Sequence, residues 1–289
     1  MGMRSTLRAM LVAGLAAALA ACAGAQDREP TDGGSVNSVD VEPTAGSFDD
    51  AVVRRLRTVV DVPFTRAVQC GVSESYDCVV PMDVLAPRRG EGLPTIVLVP
   101  GGPVAFDMRR YLGMLGAALA RKGAVVFLTS YRSVVTGNEP AETLHDVRCA
   151  IRFARSATAE YGGDPSWVVL VGHSVGSDLV LQTAVSPEAG TPGCLEDGDG
   201  TAESVVAIAG FHLTLDDIAG SAAPMLLVGS ASDPYSEGGQ AVAEQLRKQG
   251  YDAEYREFAG ATHAELVDPD ARPEIVEAVF EMVEPSSPG

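Results

Sequence analysis

The chain has 289 residues, 46% hydrophobic and 21% charged, a balance that excludes a disordered or fibrous protein and suits an α/β domain able to bury most of its apolar surface. Lys plus Arg number 21 against 39 Asp plus Glu, a net charge of −18; phosphate binding requires a basic patch, so no nucleic-acid partner is expected. Four histidines and five cysteines leave little material for a multi-metal centre, and neither metal nor cofactor is expected.

Residues 1–21 read as a targeting signal rather than as fold. Arg4 and Arg8 give a positive start, and Ala9 to Ala21 is an uncharged, Ala- and Leu-rich run too short to span a bilayer comfortably. The run ends in Leu19-Ala20-Ala21-Cys22, which resembles the bacterial lipobox. That resemblance implies lipidation at Cys22 and an extracytoplasmic protein anchored to a membrane of the cell envelope; the plainer alternative is a secretory signal with an incidental Cys. Residues 22–47, rich in Gly, Pro, Ser, Thr and acid, read as a flexible tether. Residues 48–284 form the folded domain and 285–289 a frayed tail.

Within the domain, Thr58–Val62 and Met82–Leu85 are β-prone and open the sheet as antiparallel strands. Cys70 and Cys78 bracket a polar loop, so a disulfide closing that hairpin is the simplest pairing, which leaves Cys149 with Cys194. Thr95–Val99, bounded by prolines, reads as a central strand. Arg109–Lys122 reads as a helix stopped by Gly123, Ala124–Leu128 as a strand, and Pro140–Tyr161 as a helix with Leu144, Val147, Ile151 and Ala154 on one face. A strand at Trp167–Val171 and a helix at Val175–Ala184 follow. Strands are then expected at Ser204–Ala209, Met225–Val228 and Glu254–Phe258, with helices at Gln240–Lys248 and Pro273–Val283. This alternation predicts a mostly parallel sheet covered by helices on both faces, with no large cap domain.

The chemistry concentrates at the strand ends. Gly172-His173-Ser174-Val175-Gly176 fits G-x-S-x-G between a strand and a helix, where a nucleophilic Ser stands exposed on a tight turn and small flanking residues admit close backbone packing. Of the histidines, His173 lies inside the turn, His145 in a helix and His212 beside the pocket. His263, on the loop after the last strand, is the candidate base. Asp233, on the loop after Met225–Val228, is the candidate acid, with Asp216 or Asp217 as rivals. Pro100-Gly101-Gly102-Pro103 follows the central strand; Pro103 has no N–H, so Gly102 and Val175 are the candidate oxyanion donors.

Taken together, MDVLAP, IVLVPGGP, EYGGDPSWVVLVGHSVG, VGSASDP and FAGATH resemble the α/β-hydrolase esterase/lipase group, and within it the feruloyl-esterase-like and hormone-sensitive-lipase-like carboxylesterases. The resemblance runs from about Met82 to the closing helix. It implies an α/β-hydrolase fold, an ester substrate of small-molecule size and a triad of Ser174, Asp233 and His263. Two departures bear on substrate class: Pro100-Gly101-Gly102-Pro103 stands where those esterases carry His-Gly-Gly-Gly, and Ser177 follows Gly176 where a second Gly is frequent. The Gly-Gly-Pro ending is closer to some peptidases of the same fold. A peptidase or amidase, and a binding lipoprotein on a degenerate scaffold, therefore stand as alternatives. Oligomeric state is left open.

Overall fold

The computed structural model describes residues 55–66, 68–70, 76–102, 108–132, 138–186, 193–212 and 223–283. All fall within Ala45–Gly289, the second of two compact units into which the chain divides. The lipidation candidate Cys22, the tether, the rival acids Asp216 and Asp217 and the tail lie outside the described residues.

The strands are β1 (Leu56–Pro63), β2 (Val68–Cys70), β3 (Tyr76–Cys78), β4 (Pro81–Pro87), β5 (Leu93–Val99), β6 (Val125–Thr129), β7 (Gly163–His173), β8 (Ser204–Ile208), β9 (Met225–Gly229) and β10 (Ala253–Glu257). Eight of them form one sheet in the order β1-β4-β6-β5-β7-β8-β9-β10, and β2 and β3 pair as a separate hairpin. β1 and β4 run antiparallel at one edge, and every pairing from β6 to β10 is parallel. This is the sheet that the βαβ alternation predicts.

Five helices of eight or more residues cover the described sheet: α1 (Gly113–Lys122), α2 (Pro140–Ala157), α3 (Val175–Val185), α4 (Gly239–Lys248) and α5 (Glu274–Glu281). The period of two along β5 separates the faces. Val97 and Val99 join the core made with Val147 and Ile151 of α2, Val180 of α3 and Leu246 of α4. Ile96 and Leu98 join the core made with Leu115 and Leu119 of α1 and Ile275 and Val279 of α5. With both faces covered, β5 through β9 are buried apolar runs rather than alternating ones.

Two helices differ from their sequence expectation. Arg109–Leu112 is a 3₁₀ turn before α1, and Thr158–Tyr161 is a 3₁₀ turn after α2. The first turn has no side-chain cap, whereas Arg109 and Arg110 point to Asp83 and Asp61 on the antiparallel edge. The ion pairs, not helical propensity, set that local path. β7 also begins four residues earlier than Trp167, because Gly163 pairs with Leu93 across a register irregularity. α2 starts with Pro140 at its first position, while the Glu142 carboxylate accepts from the Glu139 N–H at 2.8 Å.

Cys149 and Cys194 form a disulfide with Cα atoms 5.0 Å apart, tying the segment before β8 to α2. Cys78 is also disulfide-bonded, but the Cys70 side chain lies outside the described residues.

Candidate active site

Ser174 occupies the single residue between β7 and α3, with φ 57° and ψ −123°. A non-glycine residue in that region is strained and persists only where its surroundings fix it. Here Ser174 N–H donates to the Ile208 carbonyl at 2.8 Å, and its own carbonyl accepts from Ser177 N–H at 2.9 Å. The flanking glycines have a steric cause. A Cβ on Gly172 would lie 2.1 Å from the Gly176 oxygen, and one on Gly176 would lie 2.2 Å from the Val99 oxygen. The turn therefore packs backbone on backbone, against both its own helix and the end of β5.

The end of β5 forms the facing wall. A Cβ on Gly101 would meet the Ser174 Cβ at 2.4 Å, so Gly101 lies directly on the serine. The Tyr131 hydroxyl, from the end of β6, donates to the Pro100 carbonyl at 2.8 Å and holds this turn. Complete burial pushes the Tyr131 phenol upward and keeps it a donor. Gly102 follows at φ 106°, a conformation natural to glycine. Neither the Gly102 nor the Val175 N–H donates to any acceptor among the described residues.

The acid side is firmly built. Asp233 follows β9 with its side chain fully buried. Its Oδ1 accepts from Tyr235 N–H at 3.1 Å, and its Oδ2 accepts from the Ser236 hydroxyl at 2.8 Å and from His263 Nδ1 at 3.0 Å. Nδ1 of His263 is thereby committed as the donor, and Nε2 is the nitrogen left for chemistry. The His263 ring lies 4.6 Å from Tyr235 and 4.4 Å from His173, centroid to centroid. No hydrogen bond joins Ser174 Oγ to His263 among the described residues. Such contacts are commonly long without substrate. The contact that joins His263 to the turn is made through His173, covalently bonded to Ser174.

His173 is 1% exposed. Its Nε2–H donates to the His263 carbonyl at 3.1 Å, its Nδ1 is buried without a partner among the described residues, and Tyr111 stacks on it at 5.7 Å. Burial, with repulsion from His263 whenever that ring is protonated, brings its pKa down to about 3, so the ring is neutral. Its place inside the turn is evident from the sequence, but no local pattern marks its contact with His263.

A second His–Asp pair has no motif in the sequence. Asp178, one turn along α3 from Ser174, accepts from the His212 N–H at 2.6 Å and from His212 Nδ1 at 3.0 Å. The Asp178 hydrogen bond raises the His212 pKa. Its only sequence signal is an acid four residues after the serine. His145 lies elsewhere, 3.4 Å from Cys149 Sγ. With Cys194 it makes a three-residue metal-like grouping, but both sulfurs are spent in the disulfide. A hollow of about 570 Å³ beside the acid is lined by Asp233, Glu237, Glu244, Tyr255 and Glu257 among others; neither Ser174 nor His263 lines it, so it is not the cleft of this site. Of the loops beside the site, residues 103–107 and 213–222 lie outside the described residues.

Comparison with known proteins agrees with this architecture. The family model described as BD-FAE matches residues 82–211, which hold the serine turn and the Gly-Gly turn but neither Asp233 nor His263. A probable isoprenylcysteine alpha-carbonyl methylesterase of Arabidopsis thaliana is 29% identical over 105 residues, covering 36% of this chain and 22% of that protein. The human cocaine esterase is 32% identical over 127 residues, covering 40% and 22%. The matches thus span about a fifth of the length of these curated relatives. Among solved structures, the propionate-bound esterase 2 of Thermogutta terrifontis is similar with a TM-score of 0.56 at 21% identity, covering 76% of this chain and 97% of that one. An esterase of Pyrobaculum calidifontis is similar with a TM-score of 0.55 at 17% identity, covering 77% and 86%. The chain has the α/β-hydrolase fold.

Proposed function

We propose that the protein is a serine hydrolase of small-molecule carboxylic esters. The observation that carries this reading is His263, bonded to buried Asp233 at 3.0 Å and seated against the residue that precedes Ser174. The names of the similar esterases favour ester over amide substrates.

In the proposed cycle, His263 Nε2 takes the Ser174 proton as Oγ attacks the acyl carbonyl. Asp233 keeps the other nitrogen as the donor and stabilises the imidazolium that forms. The Gly102 and Val175 N–H groups stabilise the oxyanion, an interaction strongest when charge has developed. The imidazolium then protonates the departing alcohol, and His263 activates water to release the acid from Ser174. The chemistry calls on no metal or cofactor. The leader's Arg4, Arg8, apolar run and Cys22 support a lipid-anchored, extracytoplasmic location, which the mass of the processed N-terminus tests.

The direct test is Ser174→Ala on a panel of p-nitrophenyl esters. Loss of turnover by about 10⁴-fold or more, with unchanged circular dichroism, is expected. Wild-type turnover by the variant contradicts the proposal.

A further inference from the structure

We infer that His173 is a positioning residue for the base: as a neutral Nε2–H donor to the His263 carbonyl, it ties the base loop to the nucleophile turn. The inference rests on the proposed esterase reading.

The sheet explains why such a tie is needed. Ser174 stands at the end of β7 and His263 on the loop after β10, with β8 and β9 between them. No ladder hydrogen bond links the two strands, so sheet pairing fixes their separation only through two intervening strands. The His173–His263 bond spans 90 positions of sequence and closes that distance directly. One of its partners is the base, and the other is the residue bonded to the nucleophile.

The choice of residue supports the same role. The position before the serine carries no chemistry of its own in G-x-S-x-G, and a fully buried imidazole is a costly occupant unless its polarity is used. Here one nitrogen is used and the other has no partner among the described residues. The ring thus serves a single hydrogen bond, and that bond goes to His263. Its ring also lies 4.4 Å from the His263 ring, tilted by 38°, while Tyr111 stacks upon it. A neutral neighbour tolerates the imidazolium that forms on His263 during acyl transfer, whereas a cation at this distance would oppose it.

The experiment compares H173F, which keeps a flat ring and loses the donor, with H173Q, which returns an N–H near the place of Nε2. For H173F, kcat falls about 10- to 100-fold with KM within about twofold, the signature of misplaced reacting groups. H173Q recovers kcat to within about fivefold of wild type. Wild-type kcat in H173F, a loss confined to KM, or H173Q as impaired as H173F overturns the inference. Nitrogen-15 spectra of the wild-type histidines give a readout independent of any variant's folding. His173 should be neutral with its proton on Nε2, and a proton on Nδ1 overturns the inference. Ser174→Ala run alongside separates the failures: if it retains turnover, the esterase reading falls and this inference with it. If it is inactive while H173F matches wild type, this inference alone falls.

Discussion

Two His–Asp pairs sit at the same end of the sheet, each joined through Nδ1 at 3.0 Å, yet their surroundings differ. Asp233 is fully buried and takes further hydrogen bonds from Ser236 and Tyr235, while its His263 is 27% exposed. Asp178 is 15% exposed and its His212 is 59% exposed; its second oxygen holds the His212 backbone N–H. The first carboxylate is buried and accepts three hydrogen bonds, one of them from its imidazole. The second fastens a loop to α3. Bond length does not distinguish a base from a loop clasp; burial and the remaining partners do.

Removing each imidazole breaks the comparison most sharply. H263A should lower kcat/KM by about 10⁴-fold or more, as expected for one member of a unit that acts together. H212A should stay within about twofold, the range for surface substitutions away from such features. Ester kinetics on both variants check this, and equal losses would erase the distinction.

Opening the Cys149–Cys194 disulfide sharpens the comparison by removing a restraint that touches neither pair. The Cys149→Ala, Cys194→Ala double variant should lose about 2–4 kcal/mol in urea unfolding. Its kcat per folded molecule should be unchanged.

The smallest effect lies in the pH dependence of the outer pair. Asp178 raises the His212 pKa above its unfolded value. The stabilisation is therefore full below the ordinary histidine pKa of about 6.5 and is lost as pH rises through the raised value. Because His212 is well exposed, the contribution is under about 1 kcal/mol. The gap in unfolding free energy between wild type and D178N, read at pH 5.5 and at pH 9, should narrow at the higher pH.

Much of this arrangement was legible in the sequence, for identifiable reasons. The glycines at 172 and 176 announce a turn where backbone meets backbone, and the apolar run 95–99 announces a strand buried on both faces. His263 and Asp233 follow from strand order, since parallel strands deliver their following loops to one edge. Contacts made across that edge left no such pattern. Nothing local marks His173 as a partner of His263, 90 positions away, or Asp178 as a partner of His212, 34 away. The 3₁₀ start at Arg109 was equally hidden, because it depends on acids in β1 and β4 rather than on its own helix-forming residues.

The most direct measurement is reaction with a fluorophosphonate probe followed by peptide mass analysis. The probe modifies a serine only where a base and an oxyanion site converge on its oxygen. The account predicts one adduct, on Ser174, formed by wild type and H212A at similar rates and almost not at all by H263A. An unlabelled wild-type protein, or an H263A variant labelled at the wild-type rate, would contradict it.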